Sequence, residues 1–137
     1  VDLDVGGEDQ VVLLVARRFN ARQVEPASPP LALADARGVQ QGPVMFSGEY
    51  DRVFSAPAGA IHLHDGALGL QISQSASLSN TVVWDPGGAL CARLADLPPD
   101  GYRSMLCVEA AQIDRPITLA PGQQWKGWQE LRVLPAP

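Results

Sequence analysis

The sequence predicts an all-β protein, an antiparallel β-sandwich forming one unit over residues 1–137. Three observations carry this expectation. Valine, isoleucine and aromatic residues come in short runs, turn-forming residues punctuate those runs, and no stretch sustains the 3.6-residue period of an amphipathic helix. The punctuation is Gly42-Pro43, Ala58-Gly59, Asp65-Gly66, Pro86-Gly87-Gly88, Pro98-Pro99-Asp100-Gly101 and Pro121-Gly122. In each, glycine, proline or aspartate supplies a backbone conformation that a strand interior does not use.

Taken in order, strands are expected over residues 10–16, 43–46, 51–54, 60–64, 68–73, 81–84, 104–111, 117–119 and 124–133. The runs 60–64 and 68–73 flank Asp65-Gly66 and read as a hairpin. Residues 24–38 are rich in proline and alanine and weakly patterned, so they read as a surface excursion with a short helical turn near 31–35. Residues 90–97 read as a short helix or an irregular connection before the Pro98-Pro99 break. No internal repeat or low-complexity linker divides the chain.

Ten basic residues against fifteen acidic ones give a net charge of −5, scattered without a basic stripe. That leaves nucleic-acid or anionic-membrane binding without electrostatic support. No apolar run reaches membrane-spanning length, and Val1-Asp2-Leu3-Asp4 is not a signal peptide. The opening lacks an initiator methionine and reads as the interior of something longer. Cys91 and Cys107 have neither metal-motif spacing nor the density of a disulfide scaffold. They read as buried thiols in a reducing cytoplasm, although a bridge between them is also compatible with the sequence.

The candidate chemistry centres on Met105-Leu106-Cys107-Val108-Glu109-Ala110-Ala111, where one carboxylate interrupts an apolar strand. Alternation puts Met105, Cys107, Glu109 and Ala111 on one face and Leu106, Val108 and Ala110 on the other. Neither face is plainly polar, so Glu109 is expected to be partly desolvated. Desolvation disfavours the charged form and raises the pKa towards the range of a general base. The competing reading is a structural carboxylate, ion-paired for instance with Arg52 or Arg103.

Other candidates carry less. His62 and His64 form an H-x-H pair beside Asp65, but two imidazoles and one carboxylate are too few for a zinc site. They read as the exposed face of a hairpin, and no metal is expected. Gly6-Gly7 and Gly87-Gly88 lack the strand–loop–helix setting of a phosphate loop. Ser47, Ser55 and Ser79 have no nucleophile-elbow context. Asp96 and Asp100 flank a Pro-Pro turn, where aspartate is favoured in any case.

Four segments in order resemble a known family. They are Phe46-Ser47-Gly48-Glu49-Tyr50-Asp51-Arg52-Val53-Phe54, then Val82-Val83-Trp84-Asp85-Pro86-Gly87, then the stretch from Ala95-Asp96-Leu97-Pro98 through Gly101-Tyr102 to Cys107-Val108-Glu109, and last Leu119-Ala120-Pro121-Gly122 with Trp125. Together they resemble the C-terminal part of the glucose-6-phosphate 1-epimerases, or hexose-6-phosphate mutarotases, which are relatives of aldose 1-epimerase. The resemblance covers most of residues 46–131 and implies part of a galactose-mutarotase-like β-supersandwich.

It also implies roles. Glu109 matches the glutamate that acts as general base on the anomeric hydroxyl, and Asp51 matches an aspartate of the sugar cleft. Trp84 either stacks on the pyranose or packs in the core. Tyr102 either lines the cleft or packs the turn. Arg52 braces its strand through an ion pair. The implied reaction interconverts α and β anomers of a hexose or hexose 6-phosphate by acid–base ring opening, with no metal or redox cofactor.

The sequence departs from the pattern at several points. The family's acid histidine and phosphate-binding arginines have no counterpart here; Val5-Gly6-Gly7 would mark the point just after that histidine. Asp85 stands where asparagine is usual. The resemblance therefore implies the base-carrying half of an epimerase, completed by an N-terminal half or by a homo-oligomer. The alternative is a non-catalytic carbohydrate-binding sandwich of the same fold.

Overall fold

A computed structural model describes residues 8–13, 16–18, 23–26, 33–40, 42–55, 59–65 and 68–135. Among them, two antiparallel sheets face each other. The first contains β1 (Glu8–Leu13), β2 (Ala16–Arg18), β4 (Ala34–Asp35), β5 (Gly38–Val39), β7 (Tyr50–Ser55), β10 (Asn80–Asp85) and β11 (Met105–Thr118). Its order is β1-β11-β10-β7-β4-β5, with β2 also pairing β11. The second contains β3 (Gln23–Pro26), β6 (Val44–Met45), β8 (Ile61–Asp65), β9 (Leu68–Gln74) and β12 (Gln129–Leu134), ordered β12-β9-β8-β3-β6.

The core fills the space between the sheets. Phe54, Val83, Leu106 and Val108 come from the first sheet; Val44, Ile61, Leu63, Leu70 and Ile72 come from the second. Each residue points inward because it alternates with outward neighbours, as strand geometry requires. Phe54 has no exposed surface, and full burial of a side chain this size contributes about 1.5–3 kcal/mol.

The expected strands over 51–54, 60–64, 68–73 and 81–84 all form; three are extended by one or two residues, and the strand expected over 60–64 is shifted by one, to 61–65. The hairpin is present too, with Ile61 paired to Ile72 and Asp65 to Leu68. Gly66 lies outside the described residues. Elsewhere the structure corrects the sequence reading.

The 24–38 stretch is not simply a surface excursion. It carries most of β3, then β4 and the start of β5, and Leu33 within it is 1% exposed in the core. At the position of the expected helical turn, Ala34–Asp35 is a strand, closed by the Gln40 N–H donating to the Leu33 carbonyl at 2.7 Å. The short helix runs over Gly87–Cys91, earlier than expected. Strands 104–111 and 117–119 merge into one 14-residue β11. The last strand begins only at Gln129.

The merger has a local cause. Between the pairs Asp9–Ile117 and Val11–Gln112 the register shifts, so β11 takes up extra residues around Pro116, which has no N–H to give a ladder. Buried Asn80 holds the bend: its Oδ1 accepts from the N–H groups of Ile113 at 2.9 Å and Asp114 at 3.1 Å, and its Nδ2 donates to Asp114 Oδ2 at 2.7 Å. Gln112 adds a bond from its Nε2 to the Arg115 carbonyl at 2.6 Å. Among the described residues no helix is long and apolar enough to cross a membrane.

Candidate functional site

Three central strands of the first sheet carry the candidate residues. Asp51 on β7 pairs with Trp84 on β10, and Trp84 pairs with Cys107 on β11. One step along, Val53 pairs with Val82 and Val82 with Glu109. Register partners share a face, so Asp51, Val53, Val82, Trp84, Cys107 and Glu109 lie together. Their chain neighbours Phe54, Val83 and Val108 fill the core. The candidate face is therefore the outer one. Asp51 and Glu109 stand two strands apart, about 10 Å across the sheet and about 7 Å along it.

Two turns fix the ends of these strands. Asp85 Oδ1 accepts the Gly87 N–H at 2.7 Å, an Asx turn that ends β10 directly after Trp84. Gly87 sits at φ +60°, and a Cβ there would lie 2.5 Å from the Glu49 nitrogen. Only glycine allows this approach, which locks the turn onto the segment leading into Asp51. The usual asparagine at position 85 would offer the same acceptor, so the departure noted in the sequence preserves the turn.

Glu109 is half-buried, and burial raises its pKa above its ordinary value. The Cys107 thiol, as a hydrogen-bond donor, pulls it back down, and the charge of Asp51 adds to the rise. Cys107 itself is pushed up to about 12, first by burial and then by the Glu109 charge. It is a protonated donor at any ordinary pH. The two arginines named for a structural ion pair have other partners: Arg52 bonds Asp35, and Arg103 donates to the Tyr102 hydroxyl at 3.2 Å.

Trp84 is half-exposed on the outer face rather than buried in the core. The Tyr102 ring lies 3.4 Å from where a Cβ on Gly88 would be. It packs the loop beyond β10. Cys91 and Cys107 are separate buried thiols, and Cys91 donates to the Pro98 carbonyl at 3.2 Å. His62 and His64 are half-exposed on β8, alternating with buried Ile61 and Leu63 as expected for the outward face of a hairpin, with their rings edge-to-face at 5.9 Å. Among the described residues no group of three or more ligating side chains could hold a metal.

The inner face at the rim of β7 holds an arrangement that sequence reasoning caught only in part. Arg52 Nε bonds Asp35 Oδ2 at 2.5 Å, and its Nη1 donates to Gln40 Oε1 at 2.9 Å. Its guanidinium lies 4.8 Å from the centre of the Phe54 ring. The expected brace is real; Asp35 and Gln40, hidden in a proline-rich stretch, went unrecognised. Beside it a cleft of about 370 Å³ is lined by Arg37, Glu49, Tyr50, Asp51 and Arg52. Of the candidate residues it touches only Asp51. The outer sheet face, and not this cleft, carries Glu109.

Known proteins resemble this chain in sequence and in fold. A family described as Aldose 1-epimerase matches residues 19–132. The protein named "Putative glucose-6-phosphate 1-epimerase" from Cenchrus ciliaris is 32% identical over 106 residues, covering 75% of this chain and 32% of its own. A protein of the same name from Escherichia coli is 28% identical, covering 81% of this chain and 41% of its own. The crystal structure of a putative mutarotase (YeaD) from Salmonella typhimurium superposes with a TM-score of 0.72 at 23% identity, over 93% of this chain and 47% of that one. That of HI1317 gives 0.69 at 16% identity, over 93% and 46%. The chain spans less than half the length of each of these relatives. The structural likenesses show the fold. With the family match over most of its residues, they lead to one conclusion: this chain belongs to the aldose 1-epimerase family.

Proposed function

We propose that this chain carries the general base of a hexose-6-phosphate 1-epimerase, with Glu109 as that base. The observation that supports it is a half-buried carboxylate with a raised pKa on an outer sheet face, flanked by Trp84 and Asp51. In this reading Glu109 takes the proton from the C1 hydroxyl, and the ring opens to the aldehyde as the ring oxygen is protonated. The C1–C2 bond rotates and the ring recloses on its other face. A raised pKa suits the base, because proton transfer is most effective when the pKa nears the working pH. Asp51 accepts hydrogen bonds from sugar hydroxyls, and Trp84 offers a ring face to the pyranose. Tyr102 borders the site from the loop.

The second proton needs a donor. Both histidines of the chain are on β8, in the other sheet, so the acid is proposed to come from a preceding N-terminal half or a second copy. The same holds for the arginines that would grip a 6-phosphate. Turnover is placed in the cytoplasm, on a sugar phosphate, without nucleic acid, membrane or cofactor. A non-catalytic sugar-binding role is the second reading, favoured by the same absence of histidine from the Glu109 face.

Saturation-transfer NMR of glucose 6-phosphate tests both. Exchange between anomers above the spontaneous rate, lost in Glu109→Gln, is the expected result. Sugar-dependent shifts that survive Glu109→Gln without any exchange would establish the binding role instead. A folded sample showing neither would contradict both readings.

A further inference from the structure

Each sheet ends in two edge strands, and an uncovered edge offers a row of backbone N–H and C=O groups to any strand that can lie beside it. Among the described strands three of the four edges are blunted. β5 and β6 are two residues long, and β1 breaks register between Asp9 and Val11. The fourth edge is β12. Its six residues pair β9 in unbroken register from Gln129–Gln74 to Leu134–Gly69, with no proline and no bulge.

The core also stops short at this strand. Leu131 and Val133 stand opposite Ile72 and Leu70, which are 2% and 5% exposed in the core. Register partners share a face, so Leu131 and Val133 point the same way. Gln129 on that face reaches the Val108 carbonyl of the first sheet at 3.1 Å. Yet Leu131 is 42% exposed and Val133 65%. On the other face Glu130 and Arg132 are both exposed, with no ion pair among the described residues. Trp128, just before the strand, is 49% exposed.

We propose that β12 is the interface between two copies of this chain, paired edge to edge as antiparallel strands about a twofold axis at Leu131. Face and charge set that register. The apolar faces stay on one side only when residues of like face are opposed, so the axis passes through a residue. An axis at Glu130 or Arg132 would oppose that charge with its own copy, which is unfavourable. An axis at Gln129 or Val133 would leave half the strand unpaired. An axis at Leu131 sets Glu130 opposite Arg132 of the second copy, twice by symmetry. It also sets Leu131 against Leu131, Val133 against Gln129, and Trp128 against Leu134. The second sheet then continues from one copy into the other, and the exposed apolar side chains gain cover.

β12 lies in the sheet that does not carry Glu109, so the interface stands or falls independently of the role given to that residue. Sedimentation velocity of the whole chain, from micromolar to millimolar concentration, tests it. The wild type is expected to pass from the mass of one chain to that of two as concentration rises. Glu130→Arg and Arg132→Glu should each weaken association by roughly tenfold or more, because both symmetry-related pairs become like-charged. Mixed in equal amounts, the two variants should associate as the wild type does, since each then meets its complement; that restoration also shows both to be folded. A wild-type chain that stays monomeric throughout overturns the proposal and leaves the edge to a preceding half of a longer protein. A dimer that neither reversal weakens, or that mixing fails to restore, overturns it as well.

Discussion

Two carboxylates on the same sheet, Asp35 and Glu109, are treated in opposite ways. Asp35 sits at the rim of β7, where the Arg52 guanidinium bonds it and holds its pKa below the ordinary value. Glu109 sits three strands away, on β11, with no cation among its described partners, and burial lifts its pKa. The first is a brace. It fixes the hairpin of β4 and β5 against β7, with Gln40 and the Phe54 ring completing the shell around Arg52. The second has no ion pair among the described residues. A carboxylate that is partly desolvated but unpaired adds nothing to stability, which is why it reads as chemistry. The contrast shows one sheet treating two carboxylates differently: arginine pairs the one on its inner face, and burial raises the pKa of the one on its outer face.

The comparison can be broken from either side. The largest effect expected is on chemistry: Glu109→Gln should lower anomer exchange by about 10²–10⁴-fold, the range for losing a positioned general base. Asp35→Asn should leave that rate within about threefold, since its partners lie on the opposite face. An equal loss in both would erase the distinction. Next, Phe54→Ala should destabilise by about 3–5 kcal/mol in denaturant melts, because Phe54 fills the core and supports Arg52 together. Asp51→Asn should weaken sugar binding by roughly tenfold, the scale of one charge-assisted hydrogen bond, in a calorimetric titration.

The smallest effects are in the pH dependence of stability, and their signs differ. Asp35 has its folded pKa below 3.8, so its contribution is complete above that value and is lost as pH falls through the folded pKa. Glu109 has its folded pKa above 4.5. From 4.5 up to that folded pKa the Glu109 site binds more protons in the native state than in the unfolded one, so its contribution to stability falls as pH rises through the window. Glu109→Gln should remove that slope and leave the protein slightly more stable than wild type at neutral pH. Thermal melts from pH 3 to 8 read both.

The side of the comparison that carries Glu109 was legible in the sequence. Strand alternation places Cys107 and Glu109 on one face, and the segments around Asp51 and Trp84 carry the family resemblance. The Asp35 side was not. Its partner Arg52 is 17 positions away, and pairing over such a separation leaves no local pattern. Pro29-Pro30 and the alanines around Leu33 look like a loop because strands as short as β4 are held by their neighbours rather than by propensity. The early helix was hidden for a similar reason. It starts at Gly87-Gly88, which disfavour a helix, but the Asp85 turn fixes the backbone there. Residues 112–116 fell between two expected strands, yet Asn80 and Gln112 carry β11 through them.

The central claim, that the two carboxylates stand in opposite environments, is tested most directly by titrating both in one 13C NMR experiment, with assignments from Asp35→Asn and Glu109→Gln. The expected result is an Asp35 midpoint below 3.8 and a Glu109 midpoint above 4.5. A Glu109 midpoint at or below 4.5 would contradict the account, because a carboxylate so easily ionised would be another brace rather than a base.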